Sequence, residues 1–123
     1  MTSAAIRAMK PGPELDAAIA EKVMGWPAYD YGFDVVFTLP DGNVKRLENW
    51  EPSTSIFNAF EVVEAMRKNG ERFLSLSITD DDIEQWKCLY YDGMQRAYAF
   101  GETAPHAICL AALLAVEKET HDA

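Results

Sequence analysis

The chain has 123 residues, with 20 Asp and Glu against 11 Lys and Arg, which gives a formal net charge of −9. This acidic excess argues against direct binding to nucleic acid or to an anionic membrane surface, because both require clustered cations. Hydrophobic residues make up 49% of the chain and aromatic residues 11%, enough for one hydrophobic core. We expect a single domain over residues 1–123, less ordered at 1–10 and 119–123.

The longest apolar run is Ala107 to Val116. It is too short to cross a bilayer, and the first residues lack the apolar stretch of a signal peptide. Cys88 and Cys109 both have apolar neighbours, where cysteine usually acts as a small buried hydrophobe. These observations predict a reduced, cytoplasmic protein without a disulfide.

The first strong helix signal begins at Pro13, a residue favoured at the first helical position. Glu14 and Asp16 follow in the first turn, where carboxylates suit the helix dipole. The residues Gly-Trp-Pro at 25–27 end this helix. Residues 3–9 are predicted to form one short helical turn before it.

Residues 33–39 and 44–49 read as two strands joined by a turn at 40–43. The hydroxyl residues at 53–55 provide N-caps for a second helix, which Asn69 and Gly70 end. Helical spacing assigns five residues to its apolar stripe: Ile56, Ala59, Phe60, Val63 and Met66.

Residues 73–79, 85–91 and 94–100 read as three further strands, with Asp92 and Gly93 as the two turn residues between the last two. A third helix is predicted from about His106 to Lys118. Its apolar run has no polar face, which predicts packing against a sheet and beside another helix or a second copy of the chain. The elements together predict an α+β fold with three main helices and about five mostly antiparallel strands.

Three segments resemble the signature helices of the phage ABA sandwich domain family, small proteins encoded by phages and prophages. They are GPELDAAIAEKVMGW at 12–26, PSTSI to FEVVE at 52–64, and ETAPHAICLAA at 102–112. The resemblance covers most of residues 10–117. It implies a helix/sheet/helix sandwich and a bacterial host cell, and it implies no catalytic residues.

The residues that could carry chemistry do not form a recognisable catalytic or metal-binding pattern. The acidic segment from Asp80 to Glu84 lacks the alternation and the glycine of a calcium loop, so capping and solvation explain it better. His106 and Cys109 are three positions apart, but no further histidine or cysteine at metal-ligand spacing is present to complete a zinc site. Lys87 precedes Cys88, but no cluster of basic residues surrounds either cysteine to lower its pKa. We therefore expect neither an enzyme nor a bound cofactor or metal.

One group of residues allows a binding site for an anionic ligand. Tryptophans near helix ends could stack on a base, while hydroxyl residues at helix starts lie beside backbone N–H groups that attract phosphate. The alternative is that the tryptophans are core residues and the hydroxyl residues simple caps. The candidate residues are Trp26, Trp50, Ser53, Thr54 and Thr103.

Three functions follow from these observations. The leading hypothesis is a non-catalytic phage accessory protein that binds a host or phage protein and forms a homodimer. It rests on the lack of a catalytic set, on the all-apolar third helix and on the numerous aromatic residues of a small acidic domain. They include Tyr29 and Tyr31 in the first connection and Trp86, Tyr90, Tyr91 and Tyr98 near the hairpin. The alternatives are a protein that sequesters an anionic or nucleotide-like ligand, and an acidic mimic of DNA that inhibits a nucleic-acid-binding protein.

Overall fold

The computed structural model describes residues 1–32, 34–79 and 85–121. The segment from Asp80 to Glu84, singled out for its acidity, lies outside the described residues. Within these ranges the elements, in chain order, are α1 (Ser3–Arg7), α2 (Pro13–Lys22), β1 (Ala28–Asp30), β2 (Val35–Thr38), β3 (Val44–Arg46), a 3₁₀ turn (Leu47–Asn49), α3 (Ile56–Lys68), β4 (Arg72–Ile78), β5 (Trp86–Tyr91), β6 (Arg96–Gly101) and α4 (Ala104–His121).

The strands form two antiparallel sheets with the orders β1-β2-β3 and β4-β5-β6. This confirms the α+β class and corrects the element count, since the described residues contain four α-helices and six strands. Strand β1 lies where the sequence predicted only a connection. Its Tyr29 pairs with Val36 of β2, so backbone pairing between the strands gives this Tyr/Gly/Asp-rich segment a regular structure.

The turn between β5 and β6 is shifted by one residue from its predicted position. Tyr91 pairs with Arg96, and the Asp92 N–H donates to the Gln95 carbonyl at 3.2 Å, so Gly93 and Met94 are the central pair. Gly93 has a φ of 100°, which fits a turn with glycine at its first central position. The Asp92 carboxylate accepts N–H bonds from Met94 and Gln95 at 2.8 and 2.7 Å, so Asp92 stabilises the turn with its side chain.

Helix α4 lies at the centre of the domain. It contacts strands β5 and β6 as well as helices α1, α2 and α3, and its residues from Ala107 to Ala115 are all buried. This confirms the prediction of a helix packed against a sheet and beside another helix, and its apolar surface is covered within one chain. No helix in the described ranges is both long and apolar enough to cross a membrane.

Helix α3 is rotated relative to the predicted apolar stripe. Its buried residues are Ala59, Val62 and Met66, whereas Ile56 and Phe60 are 44% and 50% exposed. The small side chain of Ala59 allows close approach on the buried side. The stripe prediction was therefore wrong at Ile56 and Phe60, which lie on the surface.

Both cysteines are buried and free, as the sequence predicted. Burial raises the pKa of Cys88 to about 12 and that of Cys109 well above its ordinary value. The thiolate is the nucleophilic form of cysteine. The native environment therefore disfavours the reactive form of both side chains.

Candidate functional site

The structure places the two predicted ligand-stacking tryptophans side by side in the core. Their ring centroids are 4.7 Å apart in an edge-on arrangement. Trp50 is fully buried and Trp26 is 7% exposed, and the Trp50 Nε1–H donates to the Asp16 carbonyl at 3.1 Å. These rings pack against each other and the surrounding core, so the structure assigns them to the core, as the alternative interpretation held.

The predicted hydroxyl residues lie in three different environments. Ser53 is fully buried; its Oγ accepts the Gly12 N–H at 2.9 Å, which joins the start of α2 to the segment before α3. Thr54 is exposed at the edge of a cleft. Thr103 is exposed and its Oγ1 accepts the His106 N–H at 3.3 Å at the start of α4. Thr103 is therefore a helix cap, and Ser53 is a structural bridge.

The cleft beside the start of α2 is acidic. It has a volume of about 630 Å³ and is lined in part by five carboxylate residues, Asp16, Asp30, Asp34, Glu48 and Glu51. Of these, Asp34 and Glu48 both pair with Arg46, at 3.3 and 3.5 Å. An anionic ligand would meet mostly like charges here, so the polarity of the cleft is opposite to the polarity that a phosphate group needs.

Asp16 is the most buried of these carboxylates, at 3% exposure. Its Oδ1 accepts the Ser53 N–H at 2.8 Å. Burial raises the pKa of Asp16 above its ordinary value of 3.8, while the hydrogen bonds from Ser53 oppose the rise. A carboxyl with a raised pKa contributes most stability below its unfolded pKa and loses it as the pH rises through the folded value.

Asp16→Asn is therefore expected to gain stability relative to the wild type as the pH increases. The amide oxygen can still accept the Ser53 N–H, and no charge is buried near neutral pH. Urea unfolding at about pH 3 and about pH 7 measures this difference. Glu14→Gln, at an exposed carboxylate in the same turn of α2, is the matched control. A smaller advantage of Asp16→Asn near neutral pH than in acid would contradict the prediction.

His106 has a structural role at the start of α4. It is 4% exposed; its Nδ1 accepts the Glu102 N–H at 3.0 Å and its Nε2 lies 2.8 Å from the Met9 carbonyl. These bonds assign the proton of the neutral ring to Nε2. The side chain therefore joins α4 to the segment between α1 and α2.

The second sheet has one face that the described elements leave largely exposed, apart from a contact by helix α1, and we call it the open face. The alternation of β6 buries Ala97, Ala99 and Gly101 against α4 and exposes the residues between them. The strand register places nine residues on the open face in three cross-strand rows. The rows are Arg72, Tyr91 and Arg96; Ser75, Leu89 and Tyr98; and Ser77, Lys87 and Phe100.

Cations and aromatic rings lie together on the open face. Tyr98 and Phe100 are 44% and 40% exposed, with centroids 6.0 Å apart and ring planes at 86°. Lys87 Nζ stands 5.1 Å and 5.7 Å from the two centroids. From helix α1, the Arg7 guanidinium stands 5.0 Å from the centroid of Tyr98. These are cation–π distances, at which each ring attracts the charge above it.

The sequence pointed to Tyr91 and Tyr98 of this face as possible protein-binding aromatic residues, and strand β6 carries a second, sharper signal. Arg96, Tyr98 and Phe100 alternate with two alanines and a glycine, so the small residues mark the side that a helix approaches closely. The one-residue shift of the turn at 92–95 also hid the pairing of Leu89 with Tyr98 and of Lys87 with Phe100. These residues become neighbours only in the correct register between β5 and β6.

Comparisons with known proteins agree on fold and origin. A model of the phage ABA sandwich domain matches residues 17–113. A crystal structure of a phage protein from Bacillus cereus ATCC 14579 is similar to this chain, with a TM-score of 0.67 and 29% sequence identity. The similarity covers 89% of this chain and 94% of that one. No curated protein matches the chain.

Proposed function

The chain belongs to the phage ABA sandwich domain family, and on this premise we propose that it is a phage accessory protein that binds a host or phage protein without catalysing a reaction. The observation that carries the proposal is the open face, which combines exposed aromatic rings with arginine and lysine. Aromatic residues and arginine are enriched where proteins bind one another. The proposed binding site therefore consists of the nine open-face residues together with Arg7.

The surroundings of the other chemically active groups support a binding protein over an enzyme. The two thiols are buried in environments that raise their pKa, and both ring nitrogens of His106 are engaged by the backbone. Within the described ranges, no group of three or more His, Cys, Asp or Glu residues is arranged to hold a metal ion. The open face, in contrast, brings exposed aromatic rings and cations together within cation–π distance.

The main observation behind the homodimer hypothesis is explained within one chain. The hypothesis rested on the all-apolar third helix, and the structure covers that helix, α4, with strands and helices of the same chain. The open face is also a poor self-complementary surface, because two copies facing each other would bring like charges together. We therefore propose a different protein as the partner.

Affinity capture with the purified chain tests the proposal. Three baits are incubated with proteins from infected host cells. They are the wild type, the double variant Tyr98→Ala/Phe100→Ala, and the single variant Phe57→Ala. Phe57 is 76% exposed on α3, so it is a matched aromatic control away from the open face. We expect a retained protein to bind the purified wild type and Phe57→Ala with similar affinity, and the open-face variant about tenfold or more weakly.

Two results would contradict the proposal. If no retained protein binds the purified wild-type chain, the chain is not a protein-binding accessory. If the open-face variant binds as tightly as the wild type, the open face is not the binding site. Circular dichroism of all three baits shows whether each variant is folded.

A further inference from the structure

The open face differs in charge from the rest of the molecule. Strands β4, β5 and β6 hold three of the chain's 11 Lys and Arg and none of its 20 Asp and Glu. We propose that the open face binds an acidic, partly apolar segment of the partner protein. This inference rests on the proposed function and adds the chemistry of the partner to it.

The three cations of the open face, together with Arg7, have no carboxylate partner among the residues that the structure describes. Lys87 and Arg7 are held over aromatic rings, and Arg72 and Arg96 flank Tyr91 in one cross-strand row. The N–H donors of these four side chains therefore remain available for carboxylates of another molecule.

The arrangement of the rings favours a protein segment over a nucleic acid strand. Base stacking needs a ring whose flat face is accessible, whereas Tyr98 has both Lys87 and Arg7 over its ring. Phe100 stands nearly perpendicular to Tyr98, so the two rings form no continuous platform. Leu89, the cross-strand neighbour of Tyr98, adds an apolar contact suited to an aliphatic side chain.

The negative net charge of the rest of the molecule is a second reason to expect an acidic partner, which would then dock in one orientation. The chain outside these three strands contains eight Lys and Arg residues and all 20 Asp and Glu residues. An acidic segment is repelled by the net charge of the rest of the chain and attracted by the open face. Such a charge pattern directs encounter and limits incorrect docking.

Fluorescence anisotropy with a short labelled peptide in which glutamate alternates with leucine tests the inference. The same peptide with glutamine in place of glutamate, and an oligothymidine of similar length, are the comparison probes. The test variant is Lys87→Glu with Arg96→Glu. The matched control is Lys10→Glu with Lys68→Glu, which changes the net charge equally at two exposed residues outside the strands.

We expect the wild type to bind the glutamate peptide about tenfold or more tightly than the glutamine peptide. The open-face variant is expected to lose this preference, and the control variant is expected to keep it. Rising salt is expected to weaken wild-type binding, because the charges are partly exposed.

Four results would overturn the inference. They are no measurable binding of the glutamate peptide, equal binding of the glutamate and glutamine peptides, an equal loss in both charge-reversal variants, and tighter binding of oligothymidine. If the peptide fails while a captured protein binds the purified chain through the open face, the proposed function stands and only the partner chemistry is wrong. If no protein binds the chain, the proposed function fails as well.

Discussion

Replacing Trp50 with alanine is expected to lower the free energy of unfolding by about 3–5 kcal/mol, the usual cost of deleting a fully buried tryptophan. Trp50 is 0% exposed and packs edge-on against Trp26. Its Nε1–H also donates to the Asp16 carbonyl at 3.1 Å. The substitution would leave a cavity and remove that bond where α2 meets the segment before α3.

Urea unfolding of Trp50→Ala and Trp50→Phe separates the two contributions. The phenylalanine variant keeps an aromatic ring and loses the hydrogen bond, so its loss is expected to be about 1–3 kcal/mol. Phe57→Ala, at an exposed aromatic position, is expected to change stability by about 0.5 kcal/mol or less. If Trp50→Ala is as stable as Phe57→Ala, the assignment of Trp50 to the core is wrong.

Gly101→Ala is expected to destabilise the fold by about 3 kcal/mol or to displace α4 from β6. A Cβ atom at this position would lie 2.8 Å from the Cα of Ala107 and closer still to its backbone nitrogen. Backbone atoms cannot move aside as a flexible side chain does. The absence of a side chain at Gly101 is therefore what lets the start of α4 lie directly on the strand.

Thermal unfolding of Gly101→Ala and Gly42→Ala compares steric exclusion with backbone strain. Gly42 has a φ of 88° and open space around its position, so its alanine variant is expected to lose only about 1 kcal/mol. The melting temperature of Gly101→Ala is therefore expected to fall further. A smaller loss for Gly101→Ala than for Gly42→Ala would contradict the close packing of α4 on β6.

Much of the fold could be predicted from local signals. Pro13 begins α2 and Ser55 caps α3, because first-turn chemistry acts within a few residues and does not depend on the rest of the chain. The burial of α4 also followed from its lack of a polar face. In contrast, the stripe of α3 was wrong at Ile56 and Phe60, since several helical faces are similarly apolar and only packing selects one.

The candidate site was much harder to predict. The sequence correctly indicated that Trp26, Trp50 and Ser53 lie near helix ends, but it could not show that their contacts are with one another and with α2. The open face depends on the pairing of β5 with β6, where a one-residue error in the turn moves every partner. It also depends on Arg7, which reaches Tyr98 from 91 positions away along the chain.

The central claim is that a partner protein binds through the cations and rings of the open face. Its most direct test is isothermal titration calorimetry of the captured partner against three forms of the chain. They are the wild type, the open-face double variant Lys87→Glu/Arg96→Glu, and the control double variant Lys10→Glu/Lys68→Glu. The account predicts that the open-face variant binds about tenfold or more weakly than the other two proteins. Equal affinities for all three would contradict it.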